Sequence, residues 1–501
     1  MDPRLARRMA LAALLLGVLG DVLFDRQALG LNVPIAVCAA IVAATLFRPA
    51  GAVIDRLDLW IPPVAVLASI GVAVRADPPI VALDLGLAGA ATVAWAICAS
   101  GQALTRESAA MVAALGAWAA AWLGIGSVVV ATRAGADGSL RAAAGSGRGA
   151  LPVIRGLLLA TPVVLLLAAL LASADTMFGR FVDDVVNLPF DLSDLAVRAV
   201  IVLIIAWLAG GTLSIAAGEL PFKAGEPRSL GAAVRARAGW LVLPGATEAV
   251  VVLVAVDLLF GTFVALQVAY LFGGLQTVLG SGITFSDYAR EGYFQLVAVV
   301  AFAGLLLAVA EAAAHRTRAF LAAGLGLIVL TAVILASAAV RLGLYQQIYG
   351  WTELRFYVAA SIAWLASGGV VLTVLVLRDR MRWLIHGLAF GAIAVTLAVT
   401  AIGPQALITR LNVERALNPS HVPPEGFSGL DAGYIAGLGD DAIPEIVEAL
   451  PRLDAASRSA LLATLEARRA ELAADSATAG WAAWNLARER ARAALATLPA
   501  R

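Results

Sequence analysis

Cysteine and histidine are both scarce in this chain, with two and three in 501 residues. Cys38 and Cys98 each sit alone in an apolar run, so neither a disulfide framework nor a zinc or redox spacing exists. His315, His386 and His421 are scattered and form no metal-binding pattern. Lysine occurs once, at Lys223, and every other basic side chain apart from histidine is arginine. With the abundance of alanine, that reads as the codon bias of a GC-rich bacterial genome rather than as chemistry. Charge is the most telling shortage: 14% of residues are charged, against roughly 25% in soluble domains. A net charge of +1 gives no reason to expect a nucleic-acid partner.

Hydrophobic residues make up 61% of the chain and the mean hydropathy is +0.89. Several runs exceed the ~18 apolar residues that mark a membrane-spanning helix. The sequence therefore predicts an all-α, polytopic helical membrane bundle of about 11–12 transmembrane helices, with the lipid bilayer as its first partner. Expected spans cover 6–22, 31–47, 60–75, 80–100, 109–131, 152–174, 194–217, 240–272, 292–311, 319–340, 356–377 and 384–403. The opening MDPRLARRMALAALLLGVLGDVLF has a basic start and an apolar core but no A-x-A-like cleavage site, and is expected to remain as the first helix. From 404 to 501 the chain carries ten arginines and many carboxylates and reads as a soluble helical module. Leu461, Leu462, Leu465 and Leu472 form one stripe in it, and such a module is a place for a protein partner.

Inside the apolar region, Arg155–Val182 aligns without gaps on Arg237–Val264, 82 positions further on. The register matches Pro162 with Pro244, Asp175 with Asp257, Gly179 with Gly261, and two phenylalanines, a combination that leucine-rich composition does not produce. LASA at 171–174 recurs at 335–338, pointing to a fainter third copy. The domain reading is thus 1–131 as N-terminal hairpins, 152–383 as three repeated hairpins (about 155–236, 237–317 and 318–383), 384–403 as a last span, and 404–501 as the module.

Arginines before each hairpin, including Arg133, Arg141, Arg148 and Arg155, place those loops in the cytoplasm by the positive-inside rule. The N-terminus is then inside and the C-terminal region outside a bacterial cytoplasmic membrane. Parity requires that one candidate not cross simply. The 109–131 segment, loosened by Gly116, Gly124 and Gly126, is expected to be re-entrant or interfacial, and 60–75 is the other suspect.

The candidate functional polar residues are Asp175, Asp257, Asp287, Arg290, Glu353 and Arg355. Twenty residues separate Arg237 from Asp257, about 30 Å of helix, so Asp257 is expected to surface at the outer end, with a bend near Gly261. The alternative starts the helix at Pro244 and leaves Asp257 near the midplane, as an ion or proton site that needs a partner. Asp287 and Arg290 lie in TFSDYAREGYFQL, and Glu353 and Arg355 in YQQIYGWTELRFY, where aromatic side chains suit either interface anchoring or a headgroup site. No Ser-His-Asp spacing, Walker loop or H-E-x-x-H motif is present, so no catalytic residue, metal or cofactor is expected.

SADTMFGRFV, TFSDYAREGYFQL, YGWTELRFYV, RLNVERA and LDAGYIAGLGDDAIP occur in this order, followed by WNLARERARAAL. In these blocks the chain resembles a bacterial multispanning family, domain of unknown function 4173, overlapping 4153. The resemblance implies an inner-membrane protein with a helical tail, and it supplies no catalytic residues. A non-enzymatic sensor or assembly protein of the cell envelope is the first functional reading. An ion-coupled transporter using Asp175 and Asp257 comes next, and a membrane enzyme on a lipid-linked substrate last.

Overall fold

A computed structural model describes residues 2–107, 109–134, 192–219, 246–272, 299–300, 302–304, 306–307, 317–380, 383–423 and 426–499. Among these residues every regular element is helical. The bundle comprises α1 (Pro3–Phe24), α2 (Asn32–Leu46), α3 (Ile61–Val74), α4 (Pro78–Ala99), α5 (Ala109–Ala134), α6 (Leu192–Ala216), α7 (Ala246–Phe272), α8 (Arg318–Tyr349), α9 (Glu353–Leu377) and α10 (Leu384–Ile402). The C-terminal module follows as α11 (Pro404–Leu417), α12 (Ala432–Ala436), α13 (Ile443–Ala449), α14 (Ala455–Thr478) and α15 (Leu486–Ala496). Seven of the described helical segments are long and apolar enough to cross a membrane. In a bilayer the helix satisfies every backbone polar group within its own segment, so this composition leaves the chain little other choice. The protein is a multi-pass membrane protein.

Small residues set how closely the helices approach. A Cβ on Gly17 or Gly20 of α1 would collide with the Val202 carbonyl or the Ile205 side chain of α6. At the same interface Arg198 reaches the Asp21 carboxylate, Nη2 to Oδ2 at 2.7 Å. Gly126 of α5 and Gly211 of α6 likewise meet the facing helix directly, and Ser127 Oγ donates to the Trp207 carbonyl. Packing of this kind replaces the hydrophobic driving force that lipid removes. The α7–α8 pair instead packs large side chains, including Leu253, Phe260, Phe320, Leu327 and Ile334.

The helix ends sort into two groups. In one, Asp58 accepts from the Thr105 amide at 2.8 Å, and His386 Nε2 lies 3.0 Å from the Leu104 carbonyl. The start of α1 belongs with this group, since Leu5 and Met9 cluster with Phe47 and Ala217. α5 leaves the Thr105 turn, and its last carbonyl, that of Ala134, accepts from Arg7 Nε at 3.3 Å. The other group comprises the α1–α2, α3–α4 and α8–α9 turns and the end of α10, and it carries the module. Ile80, Phe356 and Val399 of the bundle share one buried core with Ile408, Ile435, Ile443, Leu461, Leu465, Leu472 and Leu495 of the module. Each such side chain contributes about 1.5–3 kcal/mol by leaving water, so the module is built into the bundle rather than tethered to it. The expected leucine stripe does face this core: Leu461, Leu465 and Leu472 are buried and Leu462 packs beside them.

The first two hairpins of the expected repeat fall largely on residues that are not described, Asp175 and the segment 155–182 among them, so their register lies outside the described residues. α8 and α9 form the hairpin Arg318–Leu377, with Gly350 at φ +74° in the turn.

Candidate functional site

Polar side chains converge where the module meets the bundle. Arg75, at the end of α3, is the hub. Its Nε donates to the Thr400 carbonyl and its Nη2 to the Ala401 carbonyl, each at 2.7 Å. These are last-turn carbonyls of α10 that have no helical partner. The chain then turns at Gly403, held at φ +68°, and a Cβ there would occupy the space of the Arg75 guanidinium. The third contact of Arg75 is an ion pair, Nη1 to Asp441 Oδ1 at 3.3 Å. Asp441 Oδ2 in turn accepts from the Ala76 amide at 2.7 Å and the Asp77 amide at 3.1 Å. One carboxylate from the module thus holds both the guanidinium and the backbone that opens α4.

Asp77 is fully buried. Its Oδ2 accepts from Tyr357 Oη at 3.1 Å, while Oδ1 has no hydrogen-bond partner among the described residues. Burial, and then the charges of Glu353 and Asp441, push its carboxyl up to about 7. Glu353 accepts from Gln405 Nε2 at 2.8 Å, and its amide donates to Tyr434 Oη at 2.8 Å. Deeper in α4, Asp84 is also fully buried, with Thr400 Oγ1 3.0 Å from each of its oxygens. The junction therefore gathers Asp77, Asp84, Glu353 and Asp441 around one guanidinium. Asn485 closes it from the far end of the chain. Its Nδ2 donates to the Val72 and Arg75 carbonyls at 3.0 and 2.9 Å while its Oδ1 caps α15, so one side chain ends α3 and begins α15.

A cavity of about 210 Å³ lies beside this junction, lined by Ala76, Pro78, Leu438, Leu465, Asp440 and Arg468. Another, of about 150 Å³, lies among α1, α5 and α6 and is mostly apolar. Among the described residues no group of three or more histidine, cysteine, aspartate or glutamate side chains is placed to hold a metal ion. The arrangement ties the module to the ends of three bundle helices through charged and polar side chains.

The six candidate residues separate. Glu353 belongs to the junction. Arg355, two residues later, turns away from it: Nη1 donates to the carbonyls of Tyr349 and Gly350, and the guanidinium lies 4.1 Å from the Tyr345 ring centre. Asp257 sits inside α7, which runs without interruption from Ala246 through Gly261 to Phe272. The described helix thus continues through both Asp257 and Gly261, and the approach to it from Arg237 lies outside the described residues. Leu253 and Phe260, on either side of the acid, are both buried against α8, and an unbroken helix keeps the backbone satisfied. The Asp257 carboxylate lies over Gly326 of α8, where a Cβ would be 3.1 Å from Oδ2. Its Oδ1 is buried without a hydrogen-bond partner among the described residues. Asp175, Asp287 and Arg290 lie outside the described residues. Sequence reasoning passed over Arg75, Asp77, Asp84, Asp441 and Asn485. Asp84 carried a visible signal, a carboxylate within an apolar run; Asp441 and Asn485 look like ordinary surface residues of amphipathic helices.

Compared with known families, the chain matches a domain of unknown function, DUF4153, over residues 63–449. The chain belongs to the DUF4153 family. No curated protein and no solved structure matches it. Of the two overlapping groupings that the sequence blocks resemble, the match is with 4153. In this DUF4153 chain the matched region opens within α3 and closes on the last residue of α13. Arg75, Asp77, Asp84, Glu353 and Asp441 all fall inside it, and Asn485 falls beyond it.

Proposed function

We propose that this DUF4153 protein is a non-enzymatic sensor or assembly protein of the bacterial cell envelope. In this reading the helical module receives an envelope component or a protein partner, and the bundle registers the change. The observation that carries it is the Arg75–Asp441 junction, through which one module carboxylate holds the ends of α3, α4 and α10. Movement of the module cannot occur without releasing carbonyls and amides of those helices.

The proposed orientation, N-terminus inside and module outside, is supported by where the arginines lie. Arg4, Arg7, Arg8, Arg48, Arg56, Arg106, Arg378 and Arg380 gather at the helix ends opposite the module. By the positive-inside rule that surplus supports a cytoplasmic face there and an external module. The bond from Arg7 Nε to the Ala134 carbonyl supports an interfacial course for α5, lying along the cytoplasmic face as one unbroken helix. The internal repeat and its three hairpins remain part of this proposal.

A second reading, an ion-coupled transporter using Asp257 with Asp175, draws support from the buried, unpartnered Oδ1 of Asp257 within α7. One comparison separates the two. A deletion strain should induce an envelope-stress reporter, Asp441→Asn should do the same while the protein still inserts, and Asp257→Asn should be silent. A silent Asp441→Asn, with a proteoliposome proton flux lost in Asp257→Asn, replaces the sensor reading with the transporter.

A further inference from the structure

The α8–α9 turn carries two guanidiniums that no carboxylate among the described residues neutralises. Arg355 stands over Tyr345 and fastens its Nη1 to the Tyr349 and Gly350 carbonyls. Arg415, from α11, donates Nη2 to the Ile348 carbonyl at 2.6 Å. The two are neighbours: a Cβ on Gly350 would lie 3.2 Å from Arg415 Nη1, and the same residue's carbonyl takes the bond from Arg355. Burial and the adjacent Arg355 charge both lower the pKa of Arg415. Glu353, two residues before Arg355, is turned into the module junction and bound by Gln405, and Glu414, beside Arg415 in sequence, is exposed and forms no ion pair with either guanidinium among the described residues.

The carbonyls at the end of α8 contribute roughly half a negative charge, which leaves most of two positive charges without a counter-charge among the described residues. A guanidinium has five N–H donors, and the nitrogens Nε and Nη2 of Arg355 and Nε and Nη1 of Arg415 have no acceptor among the described residues. Tyr349 and Phe427, 40% and 56% exposed, flank the pair with apolar surface, and the Phe427 amide shares the Ile348 carbonyl with Arg415. Paired guanidiniums with open N–H edges match the oxygens of a phosphate. Aromatic rings beside them, at the end of a helix long and apolar enough to span, match the level at which phosphates lie in a bilayer.

We propose that Arg355 and Arg415 form a phosphate site on the module side of the bundle, and that its occupant is the headgroup of an anionic phospholipid. Tyr349 and Phe427 would lie beside the glycerol and upper acyl region. The site is separate from the junction built on Arg75 and does not depend on the sensor reading.

Native mass spectrometry of the full-length protein, mixed with equal amounts of phosphatidylglycerol and phosphatidylcholine, tests it. The wild type should retain phosphatidylglycerol severalfold over phosphatidylcholine, and Arg415→Gln and Arg355→Gln should each reduce that preference. Retention that ignores headgroup, or a preference unchanged in both folded variants, overturns the site. Inorganic phosphate is the control for the source. If it protects the protein from thermal unfolding as well as phosphatidylglycerol does, the lipid assignment fails. Should both variants fail to fold, the wild-type headgroup preference and the phosphate control decide the matter.

Discussion

Replacing Asp77 by asparagine removes a charge from the most enclosed position of the junction and leaves its shape. The wild-type carboxyl is pushed from 3.8 up to about 7 by burial and by Glu353 and Asp441. A carboxyl raised in this way holds a proton in the folded protein that the unfolded chain has already released. Stability therefore falls as pH rises between those two values and levels off above about 7. Each unit of pH in that window costs about 1.4 kcal/mol, up to ~4 kcal/mol across it. Asparagine stays neutral throughout and keeps an oxygen for the Tyr357 hydroxyl. Wild type and Asp77→Asn should therefore unfold alike below about pH 4 and diverge as pH rises, with the variant ahead by about 1.5 kcal/mol at pH 5 and up to ~4 kcal/mol near pH 7–8. Thermal unfolding of both proteins in the same detergent, followed by tryptophan fluorescence at matched pH, reads the difference directly, and other titrating groups cancel in the comparison. A gap between the two that does not change with pH would refute the argument that Asp77 is buried as a proton-bearing acid. A variant less stable than wild type at every pH would show that the charge itself is needed.

Two further outcomes follow from the backbone and the topology. Gly403→Ala places a methyl group where the Arg75 guanidinium lies, at a positive φ that alanine disfavours; it should destabilise the protein by about 2–4 kcal/mol and make the α10–α11 turn cleavable in limited proteolysis, whereas an unchanged midpoint and cleavage pattern would contradict the packing. A single cysteine at Ala134, in a chain whose own two cysteines are replaced by serine, should react with a membrane-impermeant maleimide only after the cytoplasmic face is opened, and labelling of intact spheroplasts would reverse the orientation of α5.

Most helices could be read from the sequence because lipid leaves few alternatives: a run such as Leu384–Ile402 has no other way to satisfy its backbone. The boundaries of α2, α3, α4 and α10 fall within two residues of the expected spans, since Pro78, Gly403 and the polar turns beside them mark where a helix can start or stop. The junction was not legible for a physical reason. Arg75, Asp441 and Asn485 are far apart in sequence, and each is an unremarkable residue at a helix end until the fold brings them together. Glu353 and Arg355 show the converse. Two residues apart on one helix they point about 200° apart, so a motif that seems to hold one charged pair serves two different places. For Asp257 the segment back to Arg237 lies outside the described residues, and what the structure adds is the neighbour: the acid lies over Gly326 of α8, a contact that no local sequence pattern carries.

Asn485 bonds to Val72 and Arg75 across separations of 413 and 410 residues, and Trp484 accepts from the Leu31 amide. At ~5–20 residues per second a ribosome takes about 20–80 s to cover that distance. For that interval the early helices are already inserted while the carbonyls that end α3 wait for a partner not yet synthesised. Water or a chaperone must cover them meanwhile. Truncated products from stalled ribosomes would expose this unfinished edge to envelope proteases.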